Sequence, residues 1–308
     1  MTSVDATHVL HDGPWRHRFV SANGARFHVA EAGAGPLVVL LHGFPQMWWC
    51  WRYQLPALAA AGYRVAAMDL RGYGASDKPP RGYDTPTLAA DVAAVIRSLG
   101  ESDAVVVGHD WGGWISWSMP SLEPGVTRAV GAVSMAHPLA MRRSVRRYRN
   151  QAAASRYVWA FQLPFRPERR LVHPGTVEGL LRNGSGTDWP GDDEDGATVV
   201  QAYTDAMRVP FVAHSSMEYY RWAVRSTWRA DGRSFVERVD RPIDVPVLHL
   251  QGVHDPAVLA QTARRSGDWA RGGYEYLEVP DAGHFLPEER PDVVNAALLT
   301  WLGSLDTA

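Results

Sequence analysis

Apolar residues in this chain follow two rhythms. Short β-rich runs recur at residues 27–32 (FHVAEA), 37–41 (LVVLL), 63–69 (YRVAAMD), 104–108 (AVVVG) and 128–135 (RAVGAVSM), separated by stretches of helical length. Such alternation reads as parallel strands joined by crossovers. Between two of them, residues 88–100 bring Leu88, Val92, Val95, Ile96 and Leu99 to one helical face, and Gly100 marks the stop. From about His137 to Arg238 the strand rhythm gives way to segments rich in Trp, Tyr and Arg and to a polar stretch at 183–196. It resumes at 245–252 (VPVLHLQG) and 274–280 (YEYLEVP), with a helix at 263–270 between them and a last one at 291–302. The pattern predicts an α/β fold: a mostly parallel central sheet flanked by helices, with its core at 1–136 and 239–308 and a helical cap inserted at 137–238.

Composition narrows the function. The 308 residues carry 31 basic and 33 acidic side chains, so no net field favours nucleic acid or a membrane surface. A small neutral substrate is the simpler expectation. The single cysteine, Cys50, forbids an internal disulfide and any multi-cysteine metal site, which suits a reducing compartment. The first residues lack a basic start followed by an apolar stretch, and no run approaches the roughly 18 apolar residues of a membrane span. The expectation is a soluble cytoplasmic protein. Two charge clusters, at 141–150 and 192–195, read as solvated helix faces. The glycosylation-like Asn183-Gly184-Ser185 carries no weight without a leader.

Chemistry gathers where the strands end. Gly108-His109-Asp110-Trp111-Gly112 has the form of a strand-turn-helix elbow, whose glycines allow a sharp turn that presents the central side chain. An Asp that merely caps the following helix would look the same. After LVVLL comes His42-Gly43-Phe44-Pro45, where a second oxyanion donor belongs; the Phe44 and Trp111 amides are the candidate pair, and the Phe-Pro bond is a candidate for the cis form. Asp255 and His284 follow later strands, in the chain order nucleophile, acid, histidine. His249 falls within a strand, His254 is one residue off the acid, and no H-E-x-x-H zinc pattern occurs. Neither a metal nor a cofactor is called for.

HGFP, DLRGYGASDKP at 69–79, GHDWGG, the late Asp255 and the GHF histidine together resemble the epoxide hydrolases of the α/β-hydrolase fold, over about residues 24–302. A carboxylate at the elbow suits in-line attack on a saturated carbon, because Asp110 is ionised at neutral pH without help. The resulting alkyl ester needs water, which His284 would deprotonate while Asp255 orients the imidazole. The resemblance further implies two cap tyrosines that protonate the epoxide oxygen, Tyr157 and Tyr220, with Tyr219 as the neighbour a register slip would substitute. Trp48, Trp114, Phe161 and Phe285 are the candidate pocket walls. The expected partners are a small apolar epoxide and water, with no nucleic acid or membrane, in a monomer or homodimer. Two alternatives stay open: a dehalogenase using the same Asp, since halide leaves without a proton, and a non-catalytic relative, since fold alone does not make function.

Overall fold

The computed structural model describes residues 4–305. Eight strands among these form one sheet in the order β1-β2-β4-β3-β5-β6-β7-β8, where β1 is Arg16–Ala22, β2 Ala25–Ala32, β3 Leu37–Leu41, β4 Arg64–Met68, β5 Ala104–His109, β6 Thr127–Val133, β7 Val247–Gly252 and β8 Tyr274–Val279. From β4 to β8 all pairings are parallel. The 27–32 run departs from the parallel expectation, since β2 is antiparallel to both β1 and β4. The cause is local. Asn23 and Gly24 take φ of 44° and 74°, the tight hairpin geometry that Asn-Gly favours, so β1 returns directly onto β2.

Every residue of β3 and β5 is buried, as expected of strands covered on both faces. Helices α1 (Gln54–Ala60), α2 (Thr85–Ser98) and α3 (Trp111–Leu122) connect the first strands. Helix α2 begins three residues before its apolar stripe, because the Asp84 side chain accepts the Thr87 amide at 2.9 Å and caps the first turn. The chain leaves β3 for β4 on one side and comes back to place β5 on the other. The carboxyl ends of β3 and β5 therefore form a topological switch point, where open α/β sheets leave a crevice.

Between β6 and β7 the regular elements are helical: α4 (Pro138–Arg147), α5 (Arg149–Ala154), α6 (Tyr157–Ala160), α7 (Arg166–Leu171), α8 (Thr176–Gly184), α9 (Glu194–Arg208), α10 (Val212–Arg225) and α11 (Ala230–Val239). The outermost of these, α4 and α11, pack against α3. The chain then closes with α12 (Ala260–Arg264), α13 (Leu286–Glu289) and α14 (Pro291–Leu305). The two charge clusters are partly spent on local bonds: Arg143 pairs with Asp240 at 3.0 Å, and Asp193 caps α9 through the Gly196 amide at 2.8 Å.

Candidate active site

Asp110 stands at the turn from β5 into α3 with φ 51° and ψ −116°, a conformation that costs a non-glycine residue about 1–3 kcal/mol. Its surroundings enforce it. A Cβ on Gly108 would overlap the Gly112 carbonyl, one on Gly112 would overlap the Leu41 carbonyl, and one on Gly43 would strike Asp110 itself. These glycines let two backbones and a carboxylate share a space that no side chain fits. The amides of Asp110 and Gly112 are bound to the carbonyls of Val133 and His42. That of Trp111 opens α3, where an amide has no carbonyl within its own helix.

The second turn folds against the first. His42, fully buried, donates from Nδ1 to the Gly43 carbonyl at 2.9 Å and accepts the Leu70 amide on Nε2 at 3.1 Å. This holds the loop so that the Phe44 amide donates to Asp110 Oδ1 at 2.9 Å. The Phe44–Pro45 peptide is cis. The other oxygen, Oδ2, lies 3.3 Å from His284 Nε2.

His284 and Asp255 come from the ends of β8 and β7. Asp255 Oδ2 accepts from His284 Nδ1 at 2.9 Å, while Oδ1 accepts the Ala257 and Val258 amides at 2.8 and 2.9 Å. Gln251 adds a fourth bond, to Oδ2. Behind the histidine, His109 bonds the His284 carbonyl at 2.7 Å; burial, with the nearby His284, pushes the His109 pKa down to about 4, so it serves as a neutral donor. Burial alone would disfavour a charged His284, but Asp255 and Asp110 outweigh it and raise its pKa well above that of free imidazole. Burial likewise works against Asp110, yet the bond from His284 and the Phe44 amide keep it below the usual carboxylate range. The site therefore rests with an anionic Asp110 facing a cationic imidazole.

Asp110 and His284 open onto a cavity of about 690 Å³, whose walls include Phe44, Tyr157, Phe161, Tyr220 and Phe285. Tyr220 is 5% exposed and packs edge-on against Phe44, Phe161 and Trp111. Tyr157 crosses it at 6.1 Å between ring centres and is itself open to the cavity. Desolvation by the surrounding protein, nearly complete at Tyr220 and only partial at Tyr157, which is 40% exposed, holds both phenols above their ordinary pKa with the Asp110 carboxylate adding to it, so they remain donors. Tyr219 faces the other way: it is fully buried and donates to the Arg71 carbonyl at 2.6 Å.

Two expected wall residues lie elsewhere. The Trp48 indole donates to the Val9 carbonyl and packs among Trp15, His17 and His28, behind the sheet's early strands. Trp114 donates to Thr85 and stacks toward Phe235. Each finds an apolar home in the protein interior, which a tryptophan's bulk secures as readily as a pocket does. Sequence reasoning also passed over Glu289. Its Oε2 accepts the amides of Gly283 and Gly186, and its Oε1 the amide of Phe285, at 2.8–2.9 Å. His284's own amide donates to the Gly184 carbonyl at 2.8 Å. Three consecutive amides around His284 are thus tied to one carboxylate and to the α8 terminus. No residue-type signal marks it, because its partners are backbone amides.

Residues 36–291 match the family model described as the alpha/beta hydrolase fold. The chain is 34% identical to the AB hydrolase superfamily protein YfhM of Bacillus subtilis, over 92% of this chain and 97% of that protein. It is 32% identical to epoxide hydrolase A of Mycobacterium tuberculosis, over 94% and 98%. Among solved structures, an epoxide hydrolase from an endophytic Streptomyces superposes with a TM-score of 0.81 at 31% identity, covering 96% of this chain and 98% of that one.

Proposed function

Because this chain belongs to the α/β-hydrolase fold family and is similar along its length to proteins named epoxide hydrolases, we propose that it opens epoxides to vicinal diols through a covalent ester on Asp110. The observation that carries this reading is the hydrogen-bonded line Asp110–His284–Asp255 ending on an apolar cavity shared with two phenols.

Asp110 Oδ1 is occupied by the Phe44 amide, so Oδ2 is the attacking oxygen. It displaces the epoxide oxygen from a ring carbon, forming the C–O bond of an alkyl ester as the ring C–O bond breaks. Tyr157 and Tyr220 hydrogen-bond the departing oxygen, and one of them supplies the proton that makes it a hydroxyl. Esterification removes the Asp110 charge. One of the two anions that raise the His284 pKa is then gone, so the imidazole releases its proton more readily; through cavity water that proton returns to the phenolate and restores the phenol, leaving His284 neutral. This couples the first step to the second. Neutral His284 takes a proton from water, which attacks Asp110 Cγ. The Phe44 and Trp111 amides hold the oxyanion on Oδ1, as preorganised donors do for developing charge. On collapse the bond from Cγ to the substrate oxygen breaks and that oxygen takes the proton of the hydroxyl just added to Cγ, so the diol leaves and the carboxylate is restored, while Asp255 steadies the imidazolium once it has formed.

The cap is the helical segment from 137 to 238, and its role is to carry both phenols over the nucleophile. A dehalogenase reading draws on one observation, the buried Trp111 indole N–H, which lies beside the Tyr220 hydroxyl. The two phenols favour the epoxide, because a halide leaves without a proton. Turnover of a styrene-type epoxide and of a bromoalkane of similar size tests the choice. Diol formation at least 100-fold faster than bromide release is expected; the reverse ratio would make the protein a dehalogenase.

A further inference from the structure

Facing outward beside the cavity, the segment from Arg156 to Arg170 exposes large apolar side chains that no packing explains. Trp159 is 61% exposed and Phe165 71%; Phe211, at the start of the neighbouring α10, is 72% exposed. Phe165 and Phe211 also take positive φ, 62° and 69°. A bulky residue in the left-handed region is strained, so backbone strain accompanies two phenyl rings held in water. Helices α7 and α10, which these two residues precede, pack against each other. In the same 156–170 segment, Arg156, Arg166 and Arg169 are exposed, and none makes an ion pair among the described residues. Glu168, the acid within this segment, is already bonded to Arg221 at 2.7 Å and lies 3.6 Å from His214. The same stretch supplies Ala160, Phe161 and Pro167 to the cavity wall.

We propose that this arginine-bearing aromatic edge of α6, α7 and α10 docks the protein on an anionic phospholipid surface, with the cavity mouth against the lipid. Aromatic rings at the headgroup level, together with arginines, are the composition that interfacial attachment requires. The association is peripheral, since no helix among the described residues is long and apolar enough to cross a membrane. A near-balanced net charge of −2 conceals this asymmetry, which is why charge counting predicts no membrane partner. A second copy of the chain fits less well. A two-fold contact is self-complementary, so it would set the arginines of one copy against those of the other. Apolar epoxides partition into lipid, and docking here would deliver them to Asp110 without crossing water.

The test is sedimentation with vesicles, which needs no turnover and so stands or falls apart from the proposed activity. Wild-type protein is expected to pellet with phosphatidylglycerol–phosphatidylcholine vesicles at low salt. With phosphatidylcholine alone, or at several-fold higher salt, it should stay in solution. Arg166→Glu with Arg169→Glu, and separately Phe165→Asn with Phe211→Asn, should each weaken binding at least tenfold and leave turnover of a water-soluble epoxide unchanged. Asparagine tolerates positive φ, so the second variant should melt no lower than wild type, which separates lost binding from lost folding. Absence of pelleting with anionic vesicles, or pelleting that both variants retain, overturns the proposal. So does a wild-type dimer in light scattering that the same variants convert to monomer.

Discussion

Removing one phenol at a time isolates the proton donor. In Tyr220→Phe the ring stays, and with it the edge contacts to Phe161 and Trp111 at 4.9 Å and to Phe44 at 5.5 Å, so the change is confined to a hydroxyl. The epoxide oxygen gains negative charge as the ring opens, and a hydrogen bond to a charged group contributes about 1.5–3 kcal/mol. Loss of that bond slows alkylation of Asp110 by roughly 10- to 150-fold. Tyr157→Phe should act similarly, and the double variant should lose the whole acid contribution, on the order of 10²–10⁴. The second step is insulated, because the substrate oxygen has its proton before water attacks the ester. Rapid-quench mass spectrometry under single-turnover conditions resolves the two rates. Alkylation must fall while ester hydrolysis stays within about threefold. If alkylation were unchanged in both single variants and the double one, the phenols would be packing residues and the acid would have to come from elsewhere.

Acidification should separate the steps in a fixed direction. In the free protein the pKa of Asp110 is held low and that of His284 high, so between about pH 8 and pH 5 the nucleophile stays ionised. Hydrolysis needs neutral His284 and weakens as pH falls. Wild-type alkyl-enzyme should therefore accumulate at acid pH, read as the adduct fraction in quenched steady state; an adduct that declines together with turnover would contradict the charge assignment. Glu289→Gln removes one of the two acceptor oxygens that hold the amides of Gly283, Gly186 and Phe285. Misplacement of His284 should slow hydrolysis on the order of tenfold to a hundredfold, with alkylation little changed. Equal loss in both steps would make Glu289 a general structural prop.

What the sequence made legible follows from the reach of its signals. Buried strands such as β3 and β5 are written as unbroken apolar runs, and their bounds differ from those runs by at most a residue. Strand β1 was missed because it lies at the sheet edge: of Arg16–Ala22 only Val20 and Ala22 are buried, so alternation is faint. The Asn23-Gly24 hairpin signal was there to be used. Asp110, Phe44, Asp255 and His284 were visible because each sits in a turn next to a strand end, where short motifs and chain order speak. Trp48 and Trp114 misled, since an aromatic side chain reports an apolar setting without telling core from pocket. The choice between Tyr219 and Tyr220 turns on one step of helical rotation, about 100°, which depends on how α10 seats over Arg71 and Phe44. Glu289 acts on backbone amides, and those carry no residue type to read.

The central claim is that Asp110 is alkylated and its own ester then hydrolysed. Intact mass of His284→Gln after incubation with a styrene-type epoxide, set beside Asp110→Asn, tests it most directly. A gain equal to the whole epoxide in the first variant and none in the second is the predicted result. Diol released by His284→Gln at the wild-type rate, or an adduct that persists in Asp110→Asn, would contradict it.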